Sequence, residues 1–170
     1  MDIASSSSWG TEACARLCKM IVQSNSGIGQ MITENKTDLL DLATVEELQL
    51  PDIDSGLSAV FMAIYYDRPD VVKYLHRRGV DLSKSCDPMG FATPFFYIVS
   101  FSRFELLGLL DQLGYSLEVP CDTFRRTPLT RAVKINDTSM RDEIIRLITR
   151  RHDALNLLTR DSLRFLHRTR

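Results

Sequence analysis

The chain has 170 residues, 44% of them hydrophobic, and its 21 Lys and Arg nearly balance its 22 Asp and Glu. This length and composition fit one compact domain with a continuous core. The longest apolar stretch is too short to cross a bilayer, and no charged-then-apolar signal pattern opens the chain. We therefore expect an intracellular protein, cytoplasmic by default, with organelle, cytoskeletal or nuclear assemblies left open.

The N-terminal quarter of the chain is the least regular part. Residues 1–10 are rich in serine and are predicted to form a disordered or partner-ordered tail. Residues 11–51 are predicted to form a degenerate first repeat that caps the molecule, with one helix at 12–23. Thr44-x-x-Glu47 has the spacing of a capping box and predicts the start of another short helix.

A tandem repeat follows. Residues 56–83 match residues 90–117, with an offset of 35 and no gap across the 22 residues that start at Ser58 and Thr93, and a third copy begins at Thr127, 34 residues after Thr93. A mostly helical period of this length is typical of a stacked repeat array. Each unit is predicted to contain a short helix, a tight turn and a second helix.

Capping signals support the second helix of each unit. Asp67 precedes the first of these helices and can accept hydrogen bonds from its open amides. Ser102-x-x-Glu105 is a capping box before the second, and Ser139-x-x-Asp142 is a weaker one before the third. We expect all three to be N-terminal caps.

Prolines and glycines mark the other helix boundaries. Pro94 and Pro128 fit the first turn of a helix, where a missing amide costs nothing. Gly79 and Gly114 stand where the second helices of the first two units should end in a left-handed residue. Each complete unit is therefore predicted to end at a glycine.

The third unit departs from this pattern in its spacing. Aligning its apolar run with the earlier ones requires four extra residues between its helices, within residues 136–141. This alignment makes Leu75, Leu110 and Ile148 equivalent, and it predicts that all three are buried.

The turn and first-helix motifs carry a family signature. The pattern D-x-x-G precedes T-P-F at Thr93, and D-x-x-R precedes T-P-L at Thr127. Over residues 52–155 these motifs resemble the ankyrin repeat family. The resemblance implies an all-α fold, an ankyrin-like α-solenoid of stacked helix-turn-helix repeats. The family's His after T-P-L is absent, being Phe96 and Thr130 here, and this drift suggests an array fitted to one partner, with random decay as the alternative.

The resemblance also implies that a partner lies on the concave face made by the turn tips and the first helices. Aromatic residues and arginine dominate interface hot spots. For Tyr65 and Phe101, packing between repeats is the alternative role. Carried over to this chain and joined by C-terminal arginines, the candidate contact residues are Tyr65, Tyr66, Arg78, Met89, Phe91, Phe101, Phe124, Arg126, Lys134, Arg150, Arg151 and Arg164.

Charge is divided along the chain. Up to Asp122 there are 9 Lys and Arg against 17 Asp and Glu, whereas from Thr123 onward there are 12 against 5, and 11 of those 12 are Arg. Arginine is favoured at interfaces over lysine, although it also solvates the outer faces of helices. Residues 156–170 are predicted to form a basic C-terminal capping helix. A partner with an acidic surface is expected.

No arrangement of residues predicts an active site. Cys14 and Cys18 are four residues apart, but no second pair completes a zinc site. Cys86 and Cys121 occupy the same place in successive repeats, about one repeat rise apart, which is too far for a disulfide. We expect buried thiols, no metal, no cofactor and no enzymatic activity.

Two classes of function remain. The first is a protein-binding module, expected to be a structural or scaffolding subunit of a larger intracellular assembly, with a free ankyrin-type inhibitor of an enzyme such as a kinase as the alternative. The second is nucleic-acid contact through the basic C-terminal region, which lacks the aromatic interleaving of a single-strand binder. Neither a membrane nor a small-molecule substrate is expected.

Overall fold

The computed structural model describes residues 29, 31–32, 34, 40–41, 43–49, 51, 56–87 and 90–168, with side chains as far as Leu157, and its named elements are helices joined by turns. Within these residues the only β pairing is an isolated bridge between Ala92 and Asp122. The prediction of an all-α protein is confirmed.

The named helices form two compact units, Met1–Gly90 and Phe91–Arg170. The helices are α1 Val45–Gln49, α2 Ala59–Tyr65, α3 Pro69–Arg77, α4 Pro94–Ser100, α5 Phe104–Gln112, α6 Pro128–Lys134 and α7 Thr138–Arg168. We call α2–α3 the first repeat, α4–α5 the second and α6–α7 the third.

The first unit packs α1 on α2 and α2 on α3. Its core contains Leu48 of α1, Phe61 of α2 and Leu75 of α3, all fully buried. The predicted capping box is present at the start of α1: the amide of Thr44 donates to the Glu47 carboxylate at 2.8 Å, and the amide of Glu47 donates to Thr44 Oγ1 at 3.2 Å. This prediction is confirmed.

In the second unit, α4 packs on α5 and α6, and α7 packs on α5 and α6. The core comes from both repeats: Ile98, Leu106 and Leu110 of the second and Met140 and Ile144 of the third are inaccessible or nearly so. The burial of apolar residues from α4, α5 and α7 makes this unit one packed body.

The first helices of the three repeats have the same design. Each has seven residues, and α4 and α6 begin at Pro94 and Pro128 as predicted. Ser58 and Thr127 cap α2 and α6 by accepting from amides three residues along the chain, at 3.1 and 3.3 Å. The hydroxyl of Thr93 instead donates to the carbonyl of Cys121, so it ties α4 to the next turn.

Asp67 and Ser102 are not N-caps, and those two predictions are wrong. Both residues, and Asn136 at the same place in the third repeat, have positive φ between 53° and 58°. They are the left-handed residues that close the preceding short helix. At the end of α2, the amide of Asp67 donates to the carbonyl of Ile64, and the amide of Arg68 donates to the carbonyl of Ala63. The residues that follow, Arg68 and Arg103, occupy the N-cap positions without a side-chain cap.

The cap of α7 is Asp137, so the prediction for Ser139 is also wrong. Asp137 Oδ1 accepts from the amide of Met140 at 2.9 Å, and Asp137 Oδ2 accepts from the hydroxyl of Ser102 at 2.6 Å. A carboxylate just before the first helical residue reaches the amide three positions later, whereas Ser139 already lies inside the helix.

The third repeat has no extra residues between its helices, which corrects the predicted register. The second helix begins ten residues after the first in every repeat. The equivalent of Leu110 is therefore Ile144, which is fully buried, while Ile148 is only partly buried and Ile145 is exposed. The predicted insertion arose from aligning the Ile-rich stretch one helical turn too late.

Gly79 and Gly114 end α3 and α5 at φ of +89° and +92°, as predicted. Ile148 stands at the corresponding position of the third repeat. A β-branched residue strongly disfavours that conformation, so α7 continues to Arg168. The predicted capping helix at 156–170 is thus not a separate element, and Leu155 and Leu157 are exposed on the continuation.

The predicted tail at 1–10 and the helix at 12–23 lie outside the described residues. None of the helices in the described part is both long enough and apolar enough to cross a membrane.

Candidate functional site

The turn before α6, residues 121–126, is held by main-chain hydrogen bonds and by the carboxylate of Asp122. The amide of Cys121 donates to the carbonyl of Arg126 at 2.7 Å, and the amide of Arg125 donates to the carbonyl of Asp122 at 3.0 Å. Asp122 Oδ1 accepts from the amide of Arg126 at 3.0 Å, and the amide of Thr123 donates to the carbonyl of Phe91 at 3.1 Å. We call these six residues the third turn.

The side chain at the tip of the third turn is Phe124, which is 78% exposed. The guanidinium of Arg126 lies 4.8 Å from the centre of its ring, and Arg126 Nε donates to Asp122 Oδ2 at 2.5 Å. The Asp122 side chain is only 3% exposed, so it orients Arg126 from inside the turn. Phe124 is therefore an aromatic residue on a hydrogen-bonded turn, with a cation over its ring and most of its surface in solvent.

Phe91, on the segment before α4, is a second exposed aromatic residue of this unit. It is 51% exposed, and its carbonyl receives the amide of Thr123 in the third turn. Met89, the third predicted contact near this point, lies outside the described residues. We call Phe91 and Phe124, two exposed aromatic residues on segments joined by a main-chain hydrogen bond, the turn-side pair, and they are the strongest candidates for a binding surface in the second unit.

The aromatic residues of α4 are packed more deeply. Phe101 is half-buried, with its ring 6.0 Å from that of Tyr97. Buried Arg131 of α6 lies 4.3 Å from the ring of Phe96 and donates to Ser100 Oγ at 3.1 Å. These contacts join α4 to α6, so they hold the helices behind the turn-side pair in place.

The three candidate residues of the first unit differ from one another. Tyr65 stacks on Phe61 at 6.4 Å between ring centres, and Tyr66 meets Tyr65 edge-on at 5.1 Å. Burial raises the pKa of Tyr66, whose side chain is still 37% exposed. Their predicted role as partner contacts stays a prediction.

Arg78 is engaged within its own unit. Its guanidinium donates to the carbonyl of Ala43 at 2.7 Å, to Asp41 Oδ1 at 3.2 Å and to Tyr74 Oη. Arg68 does the same at the other end of α3, donating to the carbonyl of Ile32 at 2.7 Å. The two arginines fasten Ile32, Asp41 and Ala43 to the first repeat, a role that the sequence did not suggest for Arg78.

Two arginines of α7 that were predicted to contact a partner form ion pairs with one carboxylate of the same unit. Asp111 of α5, 6% exposed at its side chain, lies 2.8 Å from Arg150 and 3.3 Å from Arg151. Arg151 also donates to the Asp111 carbonyl at 3.2 Å. These arginines link α7 to α5, whereas Lys134 is exposed on α6 and the Arg164 side chain is outside the described part.

The buried thiols match the expectation for two of the four cysteines. Cys86 and Cys121 are buried, and neither forms a disulfide with a described residue. Burial, with a lesser effect of Asp122, raises the pKa of Cys121 to about 12, and burial raises that of Cys86 well above its ordinary value. Such thiols are poor nucleophiles. Cys14 and Cys18 lie outside the described residues.

No group of three or more His, Cys, Asp or Glu is placed to hold a metal ion in the part of the chain that the structure describes. The chain matches no protein-family model, and no curated protein is significantly similar to it.

Two residues of this region were missed from the sequence. The role of Asp111 could not be predicted from the sequence, because no local pattern links a single carboxylate in a leucine-rich helix to partners 39 and 40 residues away. The role of Arg125 could have been predicted from the sequence. This residue is exposed and left-handed at φ +57°, at the place where the other two turns have Gly56 and Gly90.

Proposed function

We propose that this chain is an ankyrin-like helical array without enzymatic activity, which binds another protein as a structural or scaffolding subunit of a larger intracellular assembly. The recurrence of left-handed residues supports the ankyrin-like arrangement. Gly56, Gly90 and Arg125 recur at 34 and 35 residues, and Asp67, Ser102 and Asn136 recur at 35 and 34. The same backbone plan therefore repeats three times, as in a stacked array.

The single observation that carries the binding proposal is Phe124. A phenylalanine that is 78% exposed at the tip of a hydrogen-bonded turn offers a large apolar surface on a backbone that is already ordered before binding. Phe91 adds a second exposed aromatic residue, and Arg126 supports the ring of Phe124 from one side. These residues fit an anchored contact better than a solvated turn.

An acidic partner suits the surroundings of the turn. Between residues 119 and 136 there are four basic residues and one acidic residue, Asp122, which is already paired with Arg126. A complementary partner surface would carry carboxylates around an apolar centre. The arginines of α7 favour nucleic acid less than their number suggests, because Arg141, Arg146, Arg150 and Arg151 each lie within 4.0 Å of a carboxylate oxygen.

The test is quantitative affinity purification from native cells with a double variant, Phe91→Ala with Phe124→Ala. We expect at least one protein that co-purifies stoichiometrically with the wild-type chain to be depleted by tenfold or more, with an unchanged thermal melt. Leu157→Ala is the matched control, since Leu157 is 61% exposed but lies on α7. A partner retained by the double variant and lost with Leu157→Ala would overturn the turn-side model.

A further inference from the structure

The third turn differs from its two counterparts at one left-handed position. Gly56 and Gly90 have φ of +67° and +69°, and the corresponding residue of the third turn is Arg125 at +57°. A residue with a side chain pays a conformational penalty in this region that glycine does not. Arg125 therefore occupies a position whose backbone conformation favours glycine.

The side chain of Arg125 is exposed, and it follows the exposed Phe124 directly in the third turn. Its neighbour Arg126 is occupied by Asp122, and the next arginine, Arg131, is buried against Phe96. Arg125 thus places a planar cation next to an apolar anchor on a turn whose backbone is already fixed. A guanidinium in this position suits bidentate hydrogen bonding to a carboxylate.

We propose that Arg125 is a partner-contact residue that binds a carboxylate of an acidic protein segment, next to the bulky apolar side chain of that segment that packs on Phe124. This inference rests on the proposed function, and it names the chemistry of the partner at the same surface. A protein carboxylate fits better than a phosphate chain, because the nearby arginines of the described part are already paired.

The substitution Arg125→Gly separates binding from folding. It removes the conformational penalty and the guanidinium together, so it should raise the melting temperature of the chain while weakening the complex. Asn136→Gly is the matched control, since Asn136 is also exposed and left-handed at φ +58° in the same repeat. It should leave binding unchanged.

The experiment selects random 12-residue peptides on phage against the full chain and measures the Kd of resynthesised peptides by fluorescence anisotropy. We expect enriched peptides to contain Asp or Glu beside a bulky apolar residue. Arg125→Gly should raise their Kd about tenfold or more, as should replacing the peptide carboxylate by its amide. Phe124→Ala should also raise it.

The outcomes distinguish the two proposals. If Phe124→Ala weakens binding but Arg125→Gly does not, the carboxylate contact is wrong and the turn-side surface stands. If neither variant matters, both proposals fail. Enrichment of basic or neutral peptides, no enrichment at all, or tighter binding of a 20-nucleotide oligothymidylate than of any peptide would overturn the carboxylate inference. A lower melting temperature for Arg125→Gly would overturn its conformational premise.

Discussion

The second and third repeats have the same backbone plan but differ at two left-handed positions. Gly90 of the second is replaced by Arg125 of the third, and Gly114 is replaced by Ile148. The first replacement puts a cation on the surface of a turn. The second removes a helix stop, so that α7 continues and brings Arg150 and Arg151 to Asp111. Loss of a glycine can therefore add a contact while the repeat itself is preserved.

The largest expected change in stability tests the register in which the two repeats are aligned. Leu110→Ala and Ile144→Ala should each lower the free energy of unfolding by about 2–5 kcal/mol, because each leaves a cavity at a fully buried site. Ile148→Ala should cost clearly less, since Ile148 is only partly buried. Urea denaturation measures all three. If Ile148→Ala is as costly as Leu110→Ala, the equivalence of Leu110 with Ile144 is incorrect.

The next test concerns the contact that the longer helix gains. Asp111→Ala should destabilise the chain by about 1–3 kcal/mol, because it leaves two arginines without their carboxylate, although Arg150 is exposed enough to be rehydrated. Glu143→Ala, which removes an ion pair with exposed Arg146, should cost less than about 0.5 kcal/mol. Equal effects in urea melts would show that Asp111 does not join α7 to α5.

A smaller effect is expected at the start of the second helices, where α7 has a side-chain cap and α5 has none. Asp137→Ala should cost about 1 kcal/mol near neutral pH. The hydroxyl of Ser102 and the amide of Met140 lower the pKa of Asp137 from its ordinary value of 3.8. Its contribution is thus present above that value and is lost as the pH falls through the lowered pKa of the folded state.

The difference in unfolding free energy between the wild type and Asp137→Ala should therefore shrink below pH 4. Chemical denaturation at pH 7 and at pH 2.5 measures it. Thr138→Ala serves as a control at the adjacent exposed position. A difference that grows on acidification would contradict the assignment of Asp137 as a charged cap.

The smallest effect is expected from restoring the lost helix stop. Ile148→Gly should cost roughly 1 kcal/mol or less in helix propensity, and it should reduce the helical circular dichroism signal by loosening residues 149–168. Gly114→Ala gives the reciprocal change, since it places a side chain at φ +92°. An unchanged signal for Ile148→Gly would mean that tertiary contacts alone set the length of α7.

The sequence predicted the repeat, the prolines, the glycine stops and the all-α class, because these depend on local spacing and backbone freedom. It misassigned Asp67 and Ser102 because a short polar residue between two helices can cap the second or close the first. The left-handed conformation that decides this is not visible in composition. Ile148 was aligned with Leu110 because a run of Ile and Leu fits two registers one helical turn apart.

The candidate surface was predicted only in part. Phe91, Phe124 and Arg126 are turn residues, and their positions follow from the period. The family resemblance selects Arg78 as a partner contact, and the excess of arginine near the C-terminus selects Arg150 and Arg151. In the structure each is held by carboxylates or carbonyls far along the chain. Arg125 was not among the predicted contacts, although a large residue where the other two turns have glycine is visible in the sequence.

The buried thiols offer a way to observe each unit separately. Cys86 belongs to the first unit and Cys121 to the second, and both are shielded from solvent. With Cys14 and Cys18 replaced by serine, alkylation of either thiol requires that its own unit open. Two labelling rates that respond together to denaturant would indicate cooperative opening, whereas rates that diverge would give the stability of each half of the molecule.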